Sequence, residues 1–322
     1  MAGRKPIYSR GVPSAVIFTV FLAFASVYIP ILGLFTTFIW AVPTAVLTAR
    51  TGLGQGMLAA ILSFAWLAFT VSPAWASMAA LQFAGIGLVL GFLLRKSNSS
   101  SRVIIITVVV SLLITGAVFS FPLLLGNTPG SFAAELQSNT GSIYDLWESM
   151  GLLDPLQEQG VSKEEIKESL QSAVDWIIRL LPAIMVTTAA ATAFISFLAA
   201  RTVLVKTGSG IADFPPFRRW YVPWHLSWAA ILGLGLTLLG DYVGNKMLLT
   251  LGENTVFLCI PVAFIIGLSM FIYFLGKVHS GFFKACIVFA SFFYLPLTAL
   301  FLLVVGVFDP LFDFRKIHFK SV

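Results

Sequence analysis

The sequence predicts an all-α, polytopic helical membrane protein. Three observations carry this: apolar runs of about 20 residues recur from end to end, charge is scarce, and basic residues gather on alternate connections. Of the 322 residues 58% are hydrophobic and 11% charged, and the mean hydropathy is +0.94. Soluble domains carry about twice that charge. A helical run of this length spans a hydrocarbon core of about 30 Å, whereas a closed barrel is built from alternating runs of about ten residues.

The apolar segments are Val12–Ile29, Ile31–Ala49, Gly52–Val71, Ala74–Leu94, Val103–Leu125, Trp176–Ala200, Pro223–Asp241, Thr255–Leu275 and Phe282–Val307, which predicts about nine spans. The first two share one run broken only at "YIPILG", where Pro30 and Gly33 suit a tight turn. One kinked helix there would instead leave about eight. Arg4, Lys5 and Arg10 precede an apolar run with a cleavage-like "AFAS" at Ala23 to Ser26. Because apolar character continues to Leu47 with no polar start after it, the expectation is a retained first helix.

Charge predicts the orientation. With nine spans, Arg50, Arg95, Lys96, Arg102, Arg201, Lys206, Arg218, Arg219, Lys277 and Lys284 all fall on the side of Arg4, Lys5 and Arg10. The positive-inside rule makes that side, and the N-terminus, cytoplasmic. Lys246 is the exception on the opposite side. The same count puts the tail with Arg315, Lys316 and Lys320 outside, unless Phe282–Val307 is a re-entrant hairpin broken at Pro296; the exterior tail is the expectation.

Residues 126–175 form an acidic segment, nine Asp or Glu against two Lys, between a membrane bundle at 1–125 and another at 176–322. "SKEE" (Ser162 to Glu165) is a capping box, followed by Ile166, Leu170, Val174 and Ile177 at helical spacing. The prediction is an exterior amphipathic helix leading into the sixth span, preceded by a second short stretch, "IYDLWESM". It lies on the headgroups or closes over an exterior cavity.

"DFPPFRRWYVPWHLSW" (Asp213 to Trp228) gathers scarce charge, proline and aromatic rings. Pro215 and Pro216 hold the chain extended and Phe217 follows; Arg218 and Arg219 face anionic lipid. Pro223 suits the first turn of a helix. Trp220, Trp224 and Trp228 suit the headgroup level, so the stretch reads as a cytoplasmic collar. Docking of a cytoplasmic partner is the alternative. Together with "GVFDPLFDFRK" (Gly306 to Lys316), this stretch resembles the YybS-like family of bacterial multi-span membrane proteins. That resemblance implies the bacterial cytoplasmic membrane and no particular activity. It also implies a distant similarity of the N-terminal part to substrate-binding subunits of energy-coupling-factor transporters.

Ala76, Ala80, Ala84, Gly87 and Gly91 line one face of the fourth span at spacings of four or three. Such a face lets another backbone approach closely, as internal packing or as a seam for a partner. Gly240 and Gly244 repeat the pattern weakly. Thr188, Thr192 and Ser196 bond across helices or back to their own turn. Polar groups at membrane depth are expensive, so the few present are candidates for ligand contact: Gln82, Asp241, Glu253 and Asn254. Asp175 and Arg179 are spaced to pair along one helix.

Cys259 and Cys286 lie in apolar runs without disulfide or zinc spacing, and His225, His279 and His318 are scattered. The sequence contains no phosphate-cradling GxxxxGK[ST], HExxH or GxSxG. The expectation is a non-enzymatic protein with no cofactor or metal, its basic loops obeying the membrane rule rather than binding nucleic acid. Two functions fit: a small-molecule-binding or transporter-like subunit without its own ATPase, or a scaffold for another membrane or cytoplasmic protein.

Overall fold

The computed structural model describes residues 11–97, 99–124, 134, 137–158, 160–209 and 213–316. Helix α1 (Gly11–Tyr28) stops ahead of Pro30, and α2 (Pro30–Thr36) folds back on it. A Cβ on Gly33 would lie 2.7 Å from the Ser26 carbonyl oxygen, so only glycine permits this approach. The tight turn forms, rather than one kinked helix. A hydrogen-bonded turn over 37–41 then breaks the second crossing before α3 (Val42–Thr51) resumes it. The methyl end of Leu47 reaches Gly11, so α3 finishes on the side where α1 begins.

Gly52, at φ 109°, turns the chain into α4 (Leu53–Thr70) through backbone that a side chain would strain. Ser72 caps α5 (Pro73–Ala80), accepting the Trp75 N–H at 3.2 Å. A π-helical turn, Leu81–Ile86, joins α5 to α6 (Gly87–Lys96), and α7 (Ser100–Leu124) follows. The acidic segment holds α8 (Thr140–Ser149) and α9 (Asp154–Glu158). The 44-residue α10 (Lys163–Lys206) then begins at the predicted capping box: Glu165 N–H donates to Ser162 Oγ at 3.2 Å, and Ser162 N–H to Glu165 Oε2 at 2.9 Å. Tyr144, Leu153 and Ile166 make a small core that fixes α8 against the start of α10.

The chain continues through α11 (His225–Val243), α12 (Lys246–Lys277), α13 (Gly281–Phe293) and α14 (Leu295–Phe312). Among the described residues eight helices are long and apolar enough to cross a membrane, α5 to α6 counted as one. The α2–α3 pair, two short pieces joined by the 37–41 turn, carries the chain back to the side where α1 begins. At 13 residues α13 rises only about 20 Å, short of the core. Many large side chains, Phe69 and Phe289 among them, face outward, which suits lipid as the solvent.

The chain packs as two compact units. The first comprises Met1–Gly126 and Met185–Phe214, the second Asn127–Ile184 and Pro215–Val322. The boundary falls inside α10, so the later part of that helix packs with the N-terminal bundle and not with the bundle assigned to 176–322. In the first unit α1, α4 and α5 share a core around Ala23, Leu67, Ala76 and Phe83. In the second, the hairpin of α11 and α12 closes at Gly240, where a Cβ would lie 2.3 Å from the Leu249 nitrogen.

The tail does not lie outside relative to the collar, correcting the nine-span expectation. Tyr273 Oη, near the end of α12, donates to the Arg315 carbonyl at 3.3 Å, and Arg315 binds collar carbonyls. The reason is local: the run Phe282–Val307 is not one span but α13 and α14, broken at Tyr294 and restarted by Pro296. The hairpin returns the chain to the side it left. A tag fused after Val322 and a cysteine in Arg219→Cys should therefore be modified from the same face of sealed vesicles; modification from opposite faces would refute the hairpin.

Candidate functional site

In the first unit the small-residue stripe divides. Gly87 and Gly91 lie against α3: a Cβ on Gly87 would sit 2.8 Å from the Ala41 carbonyl oxygen, and one on Gly91 2.4 Å from that of Ala45. Ala76 is fully buried in the same core. Ala80 and Ala84 instead line an open, apolar groove with Met57, Ile61, Phe64 and Leu88. One face of the α5–α6 helix thus does two things, close packing inside the unit and a shallow surface outside it. Gln82 falls in the π-helical turn, half-buried and without a hydrogen-bond partner among the described residues. π-turns widen a helix by one residue and occur often at functional sites.

The broken second crossing is the other irregularity of this unit. Its turn over 37–41 is held from α10, where Ser196 Oγ donates to the Phe38 carbonyl at 2.8 Å. Thr192, by contrast, back-bonds to the Thr188 carbonyl in its own helix at 2.8 Å. Beside the break, Trp40 is 5% exposed and meets Trp75 edge-on at 6.3 Å between ring centroids. Among the described residues the Trp40 Nε1–H has no acceptor, and the buried Thr19, Thr48, Ser63, Ser111 and Thr187 hydroxyls of the unit have no partner either. Buried indole N–H groups usually find one, because leaving a buried donor unpaired costs about 1–3 kcal/mol. No spacing in the sequence pointed to Trp40.

In the second unit Glu253 and Asn254, two of the candidates for ligand contact, bond to a neighbouring helix. Arg179 does not pair with Asp175, as its spacing predicted. It reaches the neighbouring helix, Nε and Nη2 donating to the two Glu253 oxygens at 3.2 and 3.4 Å, while Asp175 accepts from Gln137 Nε2 at 2.9 Å. A guanidinium fork matches a carboxylate better than a single contact along one helix. Asn254 Oδ1 accepts the Ala183 N–H at 2.9 Å, and its Nδ2 donates to the Arg179 carbonyl at 2.9 Å and to Thr250 at 2.8 Å. Those two backbone groups are the pair an uninterrupted helix would join around Pro182. The amide is a patch across a proline kink. Asp241 stands exposed in the last turn of α11.

The two distinctive motifs meet in this unit. Arg315, its side chain 1% exposed, donates from Nε and Nη2 to Asp309 Oδ2 at 3.1 and 2.7 Å. The same guanidinium donates from Nη1 to Ser269 Oγ at 2.8 Å and the Arg218 carbonyl at 3.3 Å, and from Nη2 to the Trp220 carbonyl at 2.7 Å. Ser269 Oγ in turn donates to the Phe217 carbonyl at 2.6 Å. The 3₁₀ turn Phe217–Arg219, introduced by Pro215 and Pro216, is therefore fastened by its backbone. Phe217 packs edge-on against Trp220, whose Nε1 donates to the Pro215 carbonyl at 2.9 Å; Trp224 stacks on His225. Below the clamp, Gly306 of α14 lies against the Ala263 carbonyl of α12.

A family model described as "Predicted membrane protein (DUF2232)" matches residues 16–310. No curated protein and no solved structure matches the chain.

Two substitutions read this packing. Gly91→Ala should lower thermal stability in detergent by about 1–3 kcal/mol through overpacking against Ala45. Gly116→Ala in α7, which meets nothing within 4 Å, should leave stability unchanged or raise it by up to about 1 kcal/mol; equal effects would contradict the close approach. Asn254→Leu should cost about 1–3 kcal/mol, and much less in a Pro182→Ala background, where the helix can bond to itself. Additive effects in that double-mutant cycle would show that Asn254 does not serve the kink.

Proposed function

The chain belongs to the DUF2232 family of predicted membrane proteins, and we propose that it works as a small-molecule-binding, transporter-like membrane subunit without an ATPase of its own. One observation carries the reading: the second crossing is broken over 37–41, and the buried Trp40 N–H beside the break has no acceptor among the described residues. Irregular backbone at membrane depth is tolerated where protein or a cavity satisfies it, and interrupted helices mark substrate sites in secondary transporters. A ligand with an acceptor oxygen or nitrogen for Trp40, and an apolar body for the Trp75 ring, fits the chemistry present. The resemblance carried by the collar and tail motifs, with the likeness to substrate-binding subunits of energy-coupling-factor transporters that it implies, suits the same class. The Lys and Arg distribution supports a cytoplasmic N-terminus and collar in a bacterial cytoplasmic membrane. The role involves no catalytic step, cofactor or nucleic acid.

The open groove beside Ala80 and Ala84 favours a second reading, a scaffold that receives a helix of another membrane protein. Native mass spectrometry of wild type and Trp40→Phe, extracted from the same membranes, separates the two. The transporter-like reading expects a bound non-lipid molecule on the wild type, reduced about tenfold when the indole N–H is removed, as loss of one buried hydrogen bond implies. No bound molecule on either, with a co-purifying membrane protein instead, would favour the scaffold.

A further inference from the structure

We propose that the collar is a binding site for the headgroup of an anionic phospholipid, with Arg218 and Arg219 as its phosphate ligands. The two side chains are exposed, and neither has a hydrogen-bond or ion-pair partner among the described residues. Their backbone is the opposite: the Phe217, Arg218 and Trp220 carbonyls are held from within by Ser269 and Arg315. A free cation on a loose loop loses orientation entropy on binding; one on a fastened turn loses less.

More positive charge stands nearby. Tyr273, which donates to the Arg315 carbonyl, carries Lys277 Nζ over its ring at 4.5 Å, and Lys316 follows Arg315 exposed. Of the acidic groups close by, Asp309 is buried and bound to Arg315, while Asp313 accompanies the cations in the tail. Exposed rings of Tyr221, Trp224 and Trp228 flank the turn, the residue types that settle at headgroup depth. Guanidinium groups match phosphate oxygens in a planar fork. Paired cations, a fixed turn and an aromatic border suit a phosphodiester anchored by acyl chains in the same leaflet. The site is independent of the Trp40 region.

The test is lipid retention by the full-length protein, measured by native mass spectrometry after exchange into mixed micelles of phosphatidylglycerol and phosphatidylcholine. Wild type is expected to retain phosphatidylglycerol preferentially. Arg218→Gln/Arg219→Gln should weaken that preference roughly thirtyfold, the effect of two cations near a charged surface, without lowering thermal stability. Ser269→Ala, which keeps every cation, should weaken it several-fold by loosening the turn. Equal retention of the two lipids by wild type would overturn the proposal even if the double variant failed to fold, as would full preference in either variant. Excess inorganic phosphate should displace nothing; displacement would assign the cations to a soluble anion and overturn the lipid site.

Discussion

Hydrocarbon offers no hydrogen bonds, so each backbone group released by a break in a helix must find a donor or acceptor within the protein. That constraint organises this structure. Beside Pro182, Asn254 accepts from the Ala183 N–H and donates to the Arg179 carbonyl. Beside Pro310, whose missing N–H would have bonded the Gly306 carbonyl, Ser227 Oγ donates to the adjacent Val307 carbonyl at 2.5 Å. At the turn over 37–41, Ser196 meets the Phe38 carbonyl. At the collar's 3₁₀ turn, Ser269 and Arg315 meet the Phe217, Arg218 and Trp220 carbonyls. Each patch comes from a part of the chain distant from the segment it serves, so the bonds that complete the backbone also join elements.

Close packing depends on the same ties. Lipid gives apolar helices little reason to associate with each other, so contact must come from small residues and specific polar bonds. Gly267 and Gly306 let α12 and α14 touch backbone to backbone, and the Arg315–Asp309 pair stands at the end of that contact. Removing one member of a buried ion pair typically costs about 3–5 kcal/mol, because the other is left uncompensated. With so many polar groups committed to structure, the uncommitted ones gain meaning. Trp40 Nε1 in the core and the Arg218 and Arg219 side chains at the surface are among the groups that the internal bonding of the described residues leaves over.

The fold class was legible because length and apolarity are local properties, as were the capping box at Ser162 and the turn at Pro30. Other features depended on residues far apart in the chain. Asn254 reads as a membrane-depth candidate until Pro182, in another helix, shows what it serves. Asp175 and Arg179 have the right spacing to pair, yet Glu253 offers the guanidinium a two-point contact from outside the helix. Arg315 reads from the sequence as tail charge and as part of a distinctive ending, with no sign that it bonds the collar about a hundred residues away. The break over 37–41 has no glycine or proline within it, so "TFIWA" gave no signal. The side of the tail was misjudged because a continuous apolar run conceals a hairpin whose bend is a tyrosine followed by Leu-Pro.

The central claim is that side chains from elsewhere in the fold hydrogen-bond backbone carbonyls at or beside the irregular points of these helices. Isotope-edited infrared spectroscopy of protein labelled at the Val307 carbonyl, in lipid, measures this directly. A labelled band at low frequency in the wild type, moving to higher frequency in Ser227→Ala, is the predicted result. An unmoved band would mean that this carbonyl is satisfied some other way, and the account of how these helices are joined would fail.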